Sequence, residues 1–190
     1  MFPGQTMEKI MVDTIRYATA DSSLGPFSAA CSDQGLAMVE FGTLGEADVK
    51  ARFPDADVIE DAASLQELLG KLVDLIEHPE RNVELALDLR GSAFELKVWQ
   101  ALRDIPAGTT TTYGEIAARQ GAPRDAREVG EACAANKLAV VVPCHRVVKK
   151  GGSIAGYRWG TKRKRALLER EHRANLLRPS VVVPHETAST

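Results

Sequence analysis

Leu65, Leu68, Leu69, Leu72, Val73 and Ile76 recur at the spacing of a single buried helical stripe. Ser64 and Glu67 stand ahead of that stripe at capping-box spacing, and His78-Pro79 ends it. Val83, Leu85, Leu87 and Leu89 then alternate with Glu84, Ala86 and Asp88, which predicts a strand with one wet face. Earlier in the chain, Ile10 to Tyr17 has strand composition. Phe27–Cys31 and Leu36–Phe41 flank Ser32-Asp33-Gln34-Gly35 as a hairpin would. Gly45 to Phe53 reads as a short helix stopped by Pro54. Residues 1–90 are thus expected to form a small α/β scaffold domain with nothing catalytic in it.

Arg90-Gly91 is the expected joint. Beyond it, Ser92 with Glu95 and Thr112 with Glu115 repeat the capping-box signature. The first opens a helix to about Leu102, with Phe94, Val98, Trp99 and Leu102 on its core side. The second opens a helix through Gln120, with Gly121 as its stop. A further short helix is expected from about Arg124 to Ala135. Two short helices across a tight turn read as helix-turn-helix, or as a helical hairpin that binds nothing. The apolar run Leu138–Val142 reads as a buried strand that Pro143 ends. Gly156-Tyr157-Arg158-Trp159-Gly160 reads as a loop, and Thr161 to about Asn175 as the last helix. That helix opens with Lys162-Arg163-Lys164-Arg165, four cations opposing its dipole, which suggests an external anion there. Residues 91–178 form the expected second domain. Residues 179–190 are an expected poorly ordered tail, in which Val181–Val183 can dock as an edge.

Charge sharpens this division. Residues 1–90 hold 7 Lys and Arg against 17 Asp and Glu, a net of −10. Residues 91–178 hold 17 against 8, a net of +9. The second half carries the footprint of a polyanion partner, or else only a solvated basic surface. No apolar stretch reaches the length of a membrane span, and the first residues lack a signal-peptide pattern. Cys31, Cys133 and Cys144 are odd in number and lack disulfide-like spacing, so a reducing cytoplasm fits. Without a CxxC pair, and with four scattered histidines, neither a metal site nor a cofactor is expected.

The candidate chemistry centres on Pro143-Cys144-His145-Arg146-Val147. A thiol beside an imidazole, behind a proline and at the end of an apolar run, sits at the rim of a core. Glu171 follows Leu167 and Leu168 by four and three residues and shares their buried face, so it needs a partner. Paired with His145, it would orient the ring, favour imidazolium and lower the Cys144 pKa. The alternative pairs it with a cation on its own helix. Asn136 either ties the helix pair to the cysteine turn or merely stops its helix. Arg127, beside the small Ala126 and Gly130, either reaches into a groove or is a surface cation. Cys133 reads as an inert packing thiol.

Together these residues resemble the O6-alkylguanine-DNA alkyltransferase family, most closely the repair half of the bacterial adaptive-response (Ada) proteins. The resemblance covers about residues 88–172. It rests on Asp88-Leu89-Arg90-Gly91, Val98–Leu102, Cys133–Ala139, the Pro143–Val147 pentapeptide and Gly156–Gly160. It implies an α/β (α+β) fold, with an N-terminal ribonuclease-H-like sheet domain and a mostly helical C-terminal domain carrying the helix-turn-helix. It implies a monomer that meets alkylated duplex DNA in the minor groove, away from membranes, and flips the damaged guanine. Cys144 would take the alkyl group irreversibly. His145 would remove the thiol proton through water, Glu171 would orient it, and Asn136 would brace the turn. Tyr113 would assist rotation and donate near O6, and Arg127, with Ala126 and Gly130 beside it, would fill the vacated stack. Tyr157, Arg158, Trp159 and Val147 would line the base pocket.

Three departures qualify the resemblance. Glu128 and Glu131, with Asp125 nearby, put carboxylates on the second helix and would weaken DNA binding. Neither zinc set of the relatives is present, which argues against a sensor role. Arg158-Trp159 is bulky and implies a tight pocket that reacts poorly with free benzylguanine. A lesion-binding module without chemistry and a Cys-His-Glu thiol hydrolase are the competing readings.

Overall fold

The computed structural model describes residues 13–81, 83–121, 126–154 and 156–177. Its first half is a four-stranded sheet in the order β3-β2-β1-β4, with β1 Thr14–Ala20, β2 Phe27–Ser32, β3 Gly35–Phe41 and β4 Asp57–Glu60. β1, β2 and β3 run antiparallel, while β4 joins β1 in parallel. The hairpin closes at Ser32 and Gly35 as expected, with Gly35 at φ 139° where its neighbour Ala86 leaves no room for a Cβ. Helix α1 (Glu46–Arg52) covers one face, where Val49 and Phe53 meet Ile15, Tyr17 and Met38. Helix α2 (Ala62–Glu77) covers the other with Leu65, Leu69, Leu72 and Ile76. β4 has no alternation and escaped the sequence reading.

The start of α2 corrects one expectation. Its N-cap is Asp61, whose carboxylate accepts from Ser64 N at 3.0 Å. Ser64 therefore lies inside the first turn, and its pairing with Glu67 is not the cap. The stretch from Val83 to Leu89 is also not a strand. It meets the sheet at a single bridge, Leu36 to Leu87, and its alternation records partial burial without a ladder.

The second half is helical and shares the main core with α2. Helix α3 (Ala93–Arg103) carries the full Ser92–Glu95 capping box. The short strand β5 (Thr111–Thr112) leads into α4 (Tyr113–Arg119), capped by Thr112 and Glu115. Gly121 takes φ 77°, as a helix stop does. α5 spans Ala126–Ala135, and residues 122–125 of the expected helix lie outside the described residues. Trp99 is a packing residue, and its Nε1–H donates to Ala132 O at 2.8 Å, locking α3 to α5. A 3-10 turn at Cys144–Arg146 is followed by β6 (Val147–Val148), paired in parallel with β5, and by α6 (Thr161–Leu177). The class is α/β, with a small mixed sheet followed by a helical part. Among the described residues no helix is long and apolar enough to cross a membrane. The tail from Pro179 and the expected strand at Ile10 to Val12 lie outside the described residues.

Replacing Asp61 by Ala is expected to lower the urea midpoint of unfolding, while Ser64→Ala leaves it nearly unchanged. Equal losses would place the cap at Ser64.

Candidate active site

The run Leu138–Val142 is not the strand its composition suggests. Leu138 makes one bridge to Val39, and the chain then coils, with Val142 N–H bonded to Leu138 O at 3.0 Å. Val140 takes φ 66°, a region that β-branched residues avoid. The Asn136 side chain dictates this. Its Oδ1 accepts from Leu138 N at 2.8 Å, and its Nδ2 donates to Val142 O at 2.9 Å and to Cys144 Sγ at 3.2 Å. Asn136 is fully buried, so the tie between helix α5 and the cysteine turn is the reading that holds.

Glu171 forms the second anchor. It is fully buried, as its stripe position implied, and its Oε1 lies 2.8 Å from His145 Nε2. Arg146 also binds it, with Nη2 on Oε1 at 2.9 Å, and Gly108 N–H donates to Oε2 at 2.9 Å. The pairing with a cation on its own helix does not occur. Arg146 further donates to Ile105 O at 2.6 Å and Pro79 O at 3.1 Å, joining four segments at one guanidinium. Sequence reasoning gave Arg146 no role, although a cation inside a buried pentapeptide was a signal that it must have a partner.

The electrostatics of the resting site follow from burial. Burial pushes Glu171 up, yet the bonds from His145 and Arg146 overcome it and hold the carboxyl below 4.5. An ionised carboxylate only accepts, so Nε2 of His145 carries the hydrogen and Nδ1 keeps the lone pair. Nδ1 is buried and makes no hydrogen bond to the described residues. Burial also lowers the pKa of His145, against the raising effect of Glu171. Cys144 is pushed up to about 11 by burial, despite the lowering bond from Asn136 and the nearby charges of Lys164 and Arg158. The expected standing imidazolium and lowered thiol are thus reversed. The resting pair is a neutral imidazole and a protonated thiol.

Cys144 opens onto a cavity of about 260 Å³ lined by Tyr113, Gly130, Cys133, Ala134, Tyr157 and Arg158, among others. Cys133 is therefore a wall residue and not only a packing thiol. Trp159 and Val147 do not line this cavity. Trp159 is buried behind Tyr157, ring centroids 5.1 Å apart, and Val147 is buried in β6, where its O accepts from Lys164 Nζ at 2.6 Å. Lys164 itself is buried, and Arg163 donates to Leu24 O and Trp159 O. Two of the four cations in the α6 first turn are thus held inside the fold, while Lys162 and Arg165 remain exposed. Tyr113 lines both the cavity and a shallow outer groove that includes Ala126, Arg127, Lys149 and Lys150. Burial pushes its hydroxyl up to about 12, so it remains a donor. Arg127 projects from α5 with its side chain 91% exposed, and its Nε pairs with Glu131 at 3.0 Å.

Residues 15–89 match the ribonuclease-like domain of 6-O-methylguanine DNA methyltransferase, and residues 93–173 match its DNA-binding domain. The chain belongs to the 6-O-methylguanine DNA methyltransferase family. The bifunctional transcriptional activator/DNA repair enzyme Ada of Escherichia coli is 41% identical over 160 residues, covering 83% of this chain and 45% of Ada. The chain therefore spans about half the length of the Ada proteins it matches. A methylated-DNA–protein-cysteine methyltransferase of Mycobacterium tuberculosis is 39% identical over 162 residues, covering 83% of this chain and 92% of that one. The crystal structure of M. tuberculosis OGT in complex with DNA superposes with a TM-score of 0.72 at 36% identity, covering 83% and 93% of the two chains.

Within this methyltransferase-family site, alkylation of Cys144 by iodoacetamide is expected to accelerate with pH toward about 11, the value at which its thiol ionises. Asn136→Ala removes a donor to Sγ and should move that curve to higher pH. It also strands Leu138 N–H and Val142 O, at a cost of about 2 kcal/mol in urea unfolding. An unshifted curve would deny the contact with Sγ.

Proposed function

We propose that this protein repairs DNA by moving the alkyl group of O6-alkylguanine onto its own Cys144, once per molecule. The observation that carries this reading is Cys144 Sγ at the base of a cavity, held by Asn136 beside a histidine oriented by Glu171. The joint at Arg90-Gly91 divides a scaffold, residues 1–90, from the DNA-binding alkyl acceptor, residues 91–178. The cytoplasm, on nucleoid DNA, is its place of action.

Helices α4 and α5 meet duplex DNA from the minor groove. Arg127 enters the stack as the damaged base turns past Tyr113 into the cavity, with Ala126 and Gly130 allowing close approach. Turning a base out costs a few kcal/mol and is least for a weakly paired one. With the base seated, the Cys144 proton passes through water to Nδ1 of His145, and Glu171 stabilises the imidazolium that forms. Sulfur attacks the alkyl carbon in line, the carbon–O6 bond breaks, and its electron pair leaves with guanine. Tyr113 donates toward that developing charge. Overall the thiol exchanges its proton for the alkyl group and guanine does the reverse. The thioether has no route back, so there is no second turnover. A neutral resting pair suits this chemistry, because a buried thiol is spared from adventitious alkylation until a base fills the cavity.

Incubation with a duplex bearing O6-methylguanine should leave one methyl on Cys144 per protein, read by mass spectrometry, and none on Cys144→Ser. Binding without mass gain would support a lesion-binding module, and many lesions processed per protein would support a hydrolase. Glu131→Ala should raise duplex affinity by about two- to fivefold, the scale of an exposed ion pair, by freeing Arg127. Unchanged binding across a salt titration would refute the restraint.

A further inference from the structure

The N-terminal sheet touches the cavity wall through a contact that the chemistry above does not use. Glu40, on edge strand β3, is only 5% exposed. Its Oε2 accepts from Arg52 Nη2 at 2.7 Å, and its Oε1 accepts from Arg158 Nη2 at 3.1 Å. A buried carboxylate needs a cation, and Arg52, in α1 of the same domain, already supplies one. The second cation comes from 118 residues away and lines the cavity with Cys144. Its presence is not required for charge balance.

Arg158 is held on three sides. Besides Glu40, its Nη1 donates to Ala134 O in the last turn of α5 at 3.1 Å, and its guanidinium lies 5.9 Å from the Trp159 ring. The neighbours of Glu40 grip the same region. Val39 N–H donates to Lys137 O and Val39 O accepts from Ala139, while Phe41 meets Trp159 edge-on at 6.5 Å. Successive side chains on a strand point to opposite faces. The segment Gly156–Gly160 thus straddles the edge of the sheet, with Arg158 tied to Glu40 on one face and Trp159 against Phe41 on the other.

We propose that Glu40 is a specificity-determining positioning residue, which fixes Arg158 across the cavity and so limits the size of the alkyl group that Cys144 accepts. The scaffold domain then supplies one wall of the selectivity filter, favouring methyl over bulky benzyl groups. This rests on Cys144 as alkyl acceptor. With one of its anchors removed, Arg158 can swing outward and the cavity widens.

Glu40→Gln keeps the size of the side chain but weakens its hold on two arginines. With matched duplexes carrying O6-methylguanine or O6-benzylguanine, the ratio of benzyl to methyl transfer rates is expected to rise about tenfold. In an Arg158→Ala background the same substitution should change nothing further. Glu40→Asp, which keeps the charge but falls short of Arg158, should shift the ratio in the same direction. A purely structural Glu40 would move both rates together. An unchanged ratio, or the same fold-change with and without Arg158, overturns the proposal. The ratio of Cys144 alkylation by N-benzyl iodoacetamide and by iodoacetamide should shift likewise, and it needs no repair chemistry. If the wild type accepts nothing from either duplex, the alkyl-acceptor reading falls. The haloacetamide ratio still decides whether Glu40 sets the cavity.

Discussion

A single buried negative charge organises the active half of this protein. Glu171 lies in the middle of α6 with no exposure to solvent, and a carboxylate there is tolerable only if every oxygen is engaged. It is engaged by His145, Arg146 and the Gly108 amide. Those bonds pin the 3-10 turn that carries Cys144, the loop after α3 and the last helix to one point. The geometry of the candidate site is therefore a by-product of satisfying a charge. The histidine is held in one tautomer because the carboxylate offers only acceptors.

The second organising contact is the Asn136 amide, which substitutes for a strand ladder. A run of five apolar residues would ordinarily extend and pair. Here the amide caps both ends of a tight coil and holds the buried Cys144 where the core meets a cavity. Strain at Val140, on the order of 1–3 kcal/mol, is the counterpart of that placement. Nδ1 of His145, on the ring edge away from Glu171, makes no hydrogen bond to the described residues.

Local signals were legible and distant ones were not. The capping boxes at Ser92 and Thr112, the α2 stripe and the Gly35 hairpin all depend on residues a few positions apart, and the structure keeps them. The Glu171–His145 pair was readable because burial of Glu171 follows from helical spacing. By contrast, the 138–142 run and the 83–89 alternation were misread because both patterns report burial and say nothing of pairing. Whether a buried segment finds a ladder is decided by Asn136 in one case and by the single Leu36–Leu87 bridge in the other. Glu40, Arg146 and Lys164 were missed for a related reason. Glu40 and Arg146 are charges among apolar residues, a sign that a partner exists, whereas Lys164 is hidden in a run of four cations; their partners Arg158, Pro79 and Val147 lie well along the chain.

Burial raises the Cys144 thiol and lowers the His145 imidazolium, so the free protein holds a neutral pair, and the proposed proton transfer waits for a base in the cavity. Nitrogen NMR of labelled histidine in the free protein near neutral pH reads this directly. The account predicts a neutral His145 ring with its proton on Nε2. A doubly protonated ring, facing a thiolate at Cys144, would contradict it.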